Sequence, residues 1–219
     1  MDKVNLSIDG AAVIAEKGMT ILQAALQGGI YIPHLCYYPE LKANGICRLC
    51  MVEANGETVL SCRTPAEQGM VIKTRSTEID KARRVNVELL VANHHNTCKG
   101  CWATGKCKLQ KLMAYIKIDR GRVKKMRAPS EEAPLNDLNP FLYYNSNKCV
   151  LCEICVHACE NVQDGLHIIG RGYPSKIAFY GDASRCESCR ECVVRCPVGA
   201  LMPKTDAQSV SPESGSSAD

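Results

Sequence analysis

Cys149-x2-Cys152-x2-Cys155-x3-Cys159 and Cys186-x2-Cys189-x2-Cys192-x3-Cys196-Pro197 are two copies of one cysteine spacing. Runs of this kind are typical of proteins with two [4Fe–4S] clusters, in which the fourth cysteine of each run binds the cluster of the other run. The predicted ligand sets are therefore Cys149, Cys152, Cys155 and Cys196 for one cluster, and Cys159, Cys186, Cys189 and Cys192 for the other. The crossing requires the two runs to fold together, and the pattern predicts an electron carrier.

Two other uses of these cysteines are less compatible with the spacing. Structural zinc sites also use Cys-x2-Cys pairs, but zinc needs only four ligands and usually takes two close pairs. A disulfide framework belongs to an oxidising compartment. The start Met1-Asp2-Lys3 shows no charged and then apolar leader segment. We therefore expect reduced cysteines and a cytoplasmic location.

A separate group of four cysteines precedes these runs. Its spacing is x10, x2 and x11, so one close pair is flanked by two distant residues. This arrangement predicts a [2Fe–2S] site, although it differs from the x4-x2 spacing of plant-type ferredoxins. A zinc site is the structural alternative. The four predicted ligands are Cys36, Cys47, Cys50 and Cys62.

The three remaining cysteines are Cys98, Cys101 and Cys107. A metal site that needs four ligands would therefore lack one. A neutral histidine is a natural fourth ligand, because imidazole binds iron and adds no negative charge. His94 and His95 both precede Cys98 closely, and spacing alone does not choose between them. The segment predicts a third [4Fe–4S] cluster, with a zinc site of three cysteines and one histidine as the alternative. All fifteen cysteines are then used, which argues for one chemistry throughout.

Composition limits the classes of partner. The 219 residues are 46% hydrophobic and 5% aromatic, which suits two or three small modules. No apolar run approaches the roughly 20 residues that span a bilayer. The formal charge is +4, but bound clusters would bring the total to roughly −3. A nucleic-acid partner is therefore not expected, and the basic stretch 117–127 is predicted to be a solvated or partner-facing loop.

The fold class predicted is α+β, beginning with a β-grasp-like [2Fe–2S] module over residues 1–76. Strands over 4–8 and 12–15 flank the turn signal Asp9-Gly10. Thr20 is a candidate cap for a helix over 21–27. A second hairpin is predicted for residues 51–54 and 58–61, with its turn at Asn55-Gly56.

The remaining chain divides into four segments. Apolar periodicity predicts a helix over 77–92, and a second helix over 108–116 is expected to enclose the histidine-containing site with it. The four segments predicted are a small helical [4Fe–4S] module at 77–116, an irregular connector at 117–146, a two-[4Fe–4S] bacterial ferredoxin-like module at 147–204 with strands near 168–169 and 177–179, and a disordered tail at 205–219.

The order of these motifs resembles a known family. The motifs are Ile32-Pro33-His34-Leu35-Cys36, Gly45-Ile46-Cys47-Arg48-Leu49-Cys50, His94-x3-Cys98-x2-Cys101-x5-Cys107-Lys108-Leu109-Gln110 and the double ferredoxin run. They are similar to the N-terminal iron–sulfur region of the large subunit of respiratory complex I, and to the same region of iron-only hydrogenases and NAD-linked formate dehydrogenases. A chain of this length is most similar to the small diaphorase subunit of bidirectional NAD-linked hydrogenases. The resemblance covers residues 1–203.

The resemblance implies that His94 is the fourth ligand of the middle cluster, and it leaves His95 unassigned. It also implies a non-catalytic relay subunit. The implied partners are a flavin NAD(P)-binding subunit, a small [2Fe–2S] subunit and a hydrogenase or formate dehydrogenase catalytic subunit, with hydrogenase favoured. In agreement, the chain carries no Gly-x-Gly-x-x-Gly after a predicted strand and no phosphate-binding loop. The alternatives are another flavin-linked reductase complex, a freely diffusing polyferredoxin and a zinc-held scaffold.

Overall fold

The computed structural model describes residues 2–95, 98–127, 133–172 and 174–204. Contacts within the chain divide it into two units. The N-terminal unit consists of Met1–Asn93 and Lys108–Ala128, and the C-terminal unit of His94–Cys107 and Pro129–Asp219. In the described ranges, no helix has the length and apolar character needed to cross a membrane. The predicted tail at 205–219 lies outside the described residues.

A five-stranded sheet forms the centre of the N-terminal unit. Its strands are β1 (Lys3–Ile8), β2 (Ala11–Glu16), β3 (Met51–Ala54), β4 (Glu57–Leu60) and β5 (Val71–Lys73), in the order β2-β1-β5-β3-β4. Only the pairing of β1 with β5 is parallel. Both predicted hairpins are confirmed, and their turn residues Asp9-Gly10 and Asn55-Gly56 all have the positive φ that such tight turns require. Strand β5 was not predicted, because three residues are too few to show a periodic pattern.

Helix α1 (Ile21–Gln27) covers one face of this sheet and is confirmed with its predicted bounds. Thr20 and Gln23 form a capping box, in which each side chain bonds the other residue's backbone N–H. The apolar face of α1 joins one continuous core with the sheet. That core consists of Leu6, Ile8, Val13, Ala15, Ile21, Leu22, Ala24, Ala25, Ile32, Tyr37, Cys50, Val52, Ala54, Cys62, Ala66 and Ile72.

Three helices complete the N-terminal unit. They are α2 (Thr77–Ala92), α3 (Lys108–Ile116) and α4 (Arg120–Met126). The first two confirm the predicted helices. Helix α4 corrects the prediction of a loop for the basic stretch 117–127. Asp119 caps α4, while the fully buried Glu88 of α2 accepts the Asp119 N–H and pairs with Arg122 at 3.3 Å. Only Val123 of α4 is buried, so the sequence shows little amphipathic pattern.

The C-terminal unit combines short strands with short helices. Its elements are β6 (Asn136–Asn139), β7 (Leu142–Tyr144), α5 (Ile154–Glu160), β8 (Leu166–Ile169), β9 (Lys176–Phe179), α6 (Cys186–Cys189), α7 (Glu191–Arg195) and β10 (Leu201–Pro203). Strands β10, β7 and β6 form one sheet in that order, and β8 and β9 form a hairpin. The hairpin confirms the strands predicted between the cysteine runs.

One expectation for the middle of the chain is wrong. The segment 117–146 is not irregular, since it contains α4, β6 and β7, and β7 pairs with β10. The sequence of β6, Asn-Asp-Leu-Asn, lacks the β-branched and aromatic residues typical of strands, and β7 is only three residues long. Helices α2 and α3 belong to the N-terminal unit, whereas His94–Cys107 belongs to the C-terminal unit. The expectation that these helices enclose the histidine-containing site stays a prediction. One contact that ties this segment to the rest of the C-terminal unit is the hydrogen bond of 3.1 Å from the Trp102 indole to the Gly199 carbonyl.

Candidate iron–sulfur sites

Cys36 and Cys47 form a close pair in the N-terminal unit. Both side chains are buried and their sulfur atoms lie 3.3 Å apart. The Cys36 thiol donates to the Cys47 sulfur, and this hydrogen bond lowers the pKa of Cys47. The same hydrogen bond raises the pKa of Cys36. One member of the pair is therefore favoured as the thiolate, the form that binds metal.

Cys50 and Cys62 form the second pair, and the β3–β4 hairpin brings them together. Cys50 directly precedes β3, and Cys62 follows β4 by one residue. Ser61 closes the end of the hairpin, because its N–H and its hydroxyl both donate to the Cys50 carbonyl, at 3.1 and 2.7 Å. The hydrogen bond from Cys62 lowers the pKa of Cys50. This set of four therefore contains two pairs, each with one acidified thiol.

Arg83 of α2 supports the loop that carries Cys50, a role that sequence reasoning missed. Its guanidinium is buried and donates to the carbonyls of Leu49 and Met51, the two neighbours of Cys50. It also donates to the Thr74 carbonyl at 2.8 Å. The sequence placed Arg83 within a predicted helix. A helical pattern does not reveal that a charged residue is buried, so its role could not be predicted.

One cavity in the C-terminal unit has cysteines of both runs in its wall. These four are the residues that the spacing grouped as one ligand set: Cys149, Cys152, Cys155 and Cys196. The other walls are mostly apolar. Burial raises the pKa of Cys149 and of Cys155, so a free thiolate is disfavoured there. Tyr144 donates a hydrogen bond to Cys149 and opposes this shift.

A second cavity has the complementary cysteines in its wall. The residues are Cys159, Cys186, Cys189 and Cys192, together with Leu142, Val162, Gln163, Leu166, Phe179, Arg190 and Glu191. Burial raises the pKa of Cys192 to about 12. Each cavity thus takes three cysteines from one run and one from the other. The cysteine spacing predicted this grouping. The role of these cysteines as cluster ligands stays a prediction.

Backbone N–H groups point at several of these sulfur atoms. Leu151 donates to Cys149 at 3.4 Å, and Ala200 donates to Cys196 at 3.2 Å. In the second cavity, Gly165 donates to Cys159 at 3.3 Å. Thiolate walls with N–H donors are the surroundings that iron–sulfur clusters use, so the residues present fit such a group. Across the part of the chain that the structure describes, no three His, Cys, Asp or Glu side chains are grouped to hold a single metal ion.

His94 is buried, and its ring has a defined orientation. Its Nδ1 lies 3.0 Å from the Lys148 carbonyl. A carbonyl only accepts hydrogen bonds, so Nδ1 carries the proton and Nε2 is the nitrogen able to bind metal. Cys107 is buried, while Cys98 and Cys101 are half-buried and share a turn in which the Cys101 N–H donates to the Cys98 carbonyl. His95 donates its backbone N–H to Asn147.

Family models match three parts of the chain. Residues 1–77 match a 2Fe-2S iron-sulfur cluster binding domain, residues 83–122 match the NADH-ubiquinone oxidoreductase-G iron-sulfur binding region, and residues 179–202 match a 4Fe-4S binding domain. The fold and these matches define a mixed α+β protein with 2Fe-2S and 4Fe-4S binding domains.

Individual relatives are similar over nearly the whole chain. The 75 kDa subunit of the NADH-ubiquinone oxidoreductase of Reclinomonas americana is 35% identical over 92% of the chain, and the α subunit of the NADPH-Fe(3+) oxidoreductase of Geobacter sulfurreducens is 34% identical over 92%. The chain spans 29% of the first relative and 24% of the second. The NADP-reducing hydrogenase subunit HndD of Solidesulfovibrio fructosivorans is 34% identical over 92% of the chain and 36% of its own length.

The similarity to one solved structure shows which family the chain belongs to. A chain of an NAD+-reducing [NiFe]-hydrogenase, determined in the H2-reduced state, is 33% identical and has a TM-score of 0.80. The match covers 92% of the present chain and 87% of that chain. The protein therefore belongs to the iron–sulfur subunit family shared by the N-terminal region of complex I large subunits and NAD-linked hydrogenases. It is an iron–sulfur electron-transfer subunit related to both.

Proposed function

We propose that this chain carries one [2Fe–2S] and three [4Fe–4S] clusters and relays single electrons within a multi-subunit oxidoreductase. The observation that carries the proposal is the pair of cavities, each lined by four cysteines drawn from both runs. Bound clusters would supply one-electron redox chemistry. The protein supplies the thiolates, the N–H donors to sulfur and the exclusion of water.

The proposed ligands follow the geometry of each site. Cys36 and Cys47 would bind one iron of the [2Fe–2S] cluster, and Cys50 and Cys62 the other, which agrees with the two hydrogen-bonded pairs. His94 would bind through Nε2, because Nδ1 donates to Lys148. The three [4Fe–4S] ligand sets are His94, Cys98, Cys101 and Cys107; Cys149, Cys152, Cys155 and Cys196; and Cys159, Cys186, Cys189 and Cys192.

We propose that each ligand set belongs to one of the modules predicted from the sequence. These are a β-grasp [2Fe–2S] domain at 1–76, a histidine-ligated module at 77–116 and a two-[4Fe–4S] ferredoxin-like domain at 147–204. The sheet of the N-terminal unit, with α1 against it and β1 parallel to β5, supports the first. For the second, only the ligand set is proposed to act together, since its helices and its cysteines fall in different units.

The partners proposed are a flavin NAD(P)-binding subunit, a small [2Fe–2S] subunit and a hydrogenase catalytic subunit, in the cytoplasm. The similarity to a chain of an NAD+-reducing [NiFe]-hydrogenase and to an NADP-reducing hydrogenase subunit favours this assembly. A second candidate is another flavin-linked reductase complex, which the similarity to an NADPH-Fe(3+) oxidoreductase subunit favours.

Anaerobic affinity purification from the native cells distinguishes these candidates. A relay subunit should co-purify with a flavoprotein and a catalytic chain, and full loading gives about 14 irons per chain. A hydrogenase chain supports the first candidate, and a reductase without one supports the second. An iron-loaded monomer without partners would contradict the relay and favour a freely diffusing polyferredoxin. A colourless, zinc-containing chain would overturn both.

Paired substitutions test whether the two cysteine runs share their ligands. Cys149→Ala with Cys196→Ala removes two ligands from one proposed cluster, so the iron count should fall from about 14 to about 10. Cys149→Ala with Cys159→Ala removes one ligand from each cluster, and the count should fall to about 6. If each run bound its own cluster, the two results would be exchanged.

A further inference from the structure

Cys186 differs from the other cysteines of its cavity in the polar groups that surround it. Its sulfur accepts a hydrogen bond from the Gln163 side-chain amide at 3.0 Å and another from the Asn139 side-chain amide at 3.3 Å. Asn139 is 9% exposed and Gln163 lines the cavity itself. Two amide side chains from different parts of the chain therefore converge on one sulfur atom.

The orientation of the Asn139 amide is fixed by a third contact. Its Oδ1 accepts the backbone N–H of Phe141 at 2.9 Å. Because only the oxygen accepts from an N–H group, the opposite end, Nδ2, is the one that faces Cys186. Asn139 ends β6, and the β6–β7 turn that begins with it holds the amide in place.

Gln163 reaches Cys186 from the loop that follows α5. Its backbone N–H donates to the carbonyl of Cys159 at 2.9 Å, so the loop is tied to another cysteine of the same cavity. A thiolate sulfur accepts hydrogen bonds and does not donate them. Gln163 therefore presents Nε2 to Cys186, as Asn139 presents Nδ2.

In the other cavity, the hydrogen-bond donors to Cys149 and Cys196 are two backbone N–H groups and one hydroxyl from the described part of the chain, with no side-chain amide among them. Cys149 accepts from the Leu151 backbone and the Tyr144 hydroxyl, and Cys196 accepts from the Ala200 backbone. These backbone donors are part of the chain path, so substitution cannot remove them cleanly. The two amides on Cys186 can each be removed without altering a cysteine.

We propose that Asn139 and Gln163 are positioning residues that set the reduction potential of the cluster held by Cys159, Cys186, Cys189 and Cys192. This inference rests on the proposed function, because it requires a cluster in that cavity. An N–H donor to a cluster sulfur stabilises negative charge, and the reduced cluster carries one electron more than the oxidised cluster. Both amides therefore make this cluster easier to reduce.

The test is an electrochemical redox titration of the full chain followed by electron paramagnetic resonance, with iron counted in every sample. Gln163→Met removes one donor at nearly constant volume and should shift the potential of this cluster to a more negative value. Asn139→Asp keeps Oδ1 as the acceptor for Phe141 and replaces the donor with a carboxylate oxygen, so its negative shift should be larger. Asn161→Leu removes an exposed amide from the loop after α5 and should produce no shift.

The potentials of the other clusters in each sample are the internal control and should not move. A full iron count with an unchanged potential in both Gln163→Met and Asn139→Asp would overturn this inference and leave the proposed function standing. Loss of the cluster in either variant would show that its amide holds the loop, which overturns the inference for that residue. A wild-type chain lacking iron in this cavity, identified by an unchanged iron count on Cys186→Ala, would contradict the proposed function instead.

Discussion

The two units position their cysteines by different structural means. In the N-terminal unit, a hairpin of a five-stranded sheet carries Cys50 and Cys62, and both sulfur-bearing residues belong to a continuous apolar core. In the C-terminal unit, most of the cysteines lie on or next to helices of only four to seven residues. The turns beside these cysteines contain residues with positive φ, such as Leu151, Glu153 and Arg190. The comparison indicates that the first ligand set is built into an existing core, whereas the second depends on metal to crosslink short elements.

The largest effect should follow from removal of iron. We expect the C-terminal unit to lose most of its amide protection when the clusters are removed, because the proposed clusters would crosslink its short helices through the cysteines of both runs. The sheet of the N-terminal unit should retain protection in β1, β3 and β5. Hydrogen exchange of the full chain with and without iron measures both. Equal loss in the two units would contradict the comparison, and retained protection in α5–α7 would show that cysteine crosslinking is unnecessary.

The second prediction concerns Arg83, which braces the metal loop of the N-terminal unit. Arg83→Met leaves the carbonyls of Leu49, Met51 and Thr74 without a buried donor, and should destabilise the unit by ~3–5 kcal/mol. Arg75→Met is the matched control, because Arg75 is an exposed partner of Asp80 and its removal should destabilise the unit far less than Arg83→Met does. Anaerobic urea titrations with exchange read in β3 and β5 measure the difference. An equal loss of stability in the two variants would mean that water replaces the hydrogen bonds of Arg83.

Local signals in the sequence were sufficient for the elements that are long or have strong turn chemistry. Asp9-Gly10 and Asn55-Gly56 identified both hairpins, and Thr20 identified the start of α1. The cysteine spacing also grouped the residues that line each cavity, because shared ligands across two runs are a property of spacing. The ligand roles themselves stay a prediction.

Contacts between distant parts of the chain explain what the sequence did not reveal. Helix α4 depends on a buried Glu88 some thirty residues earlier, and β7 pairs with β10 across the whole double cysteine run. Asn139 and Gln163 lie far from Cys186 in sequence and belong to no motif. Such donors become visible only when the fold brings them to a sulfur atom, because a single amide carries no sequence pattern.

The third prediction tests close packing in the C-terminal unit. Gly199 has a φ of 67°, and an added Cβ would lie 2.5 Å from Nε1 of Trp102. Gly199→Ala should therefore cost about 3 kcal/mol, from the left-handed backbone and from displacement of the indole. Gly172→Ala is the control, since its φ is 66° with open space around the added atom, and it should cost about 1 kcal/mol. Thermal unfolding of the iron-loaded chain compares the two, and equal costs would show that Trp102 moves aside freely.

The smallest effect should come from the cap of α1 in the N-terminal unit. Thr20→Ala removes the hydroxyl that accepts the Gln23 N–H at 3.3 Å, and should destabilise the unit by about 1 kcal/mol. Thr20→Ser keeps the hydroxyl and should be nearly neutral. If the core beneath α1 forms without metal, as the contrast between the two units predicts, the loss of stability should be the same in chains with and without iron, as read by exchange in α1. A cost that disappears on removal of iron would mean that this core itself depends on the cluster, and the contrast between the two units would then fail.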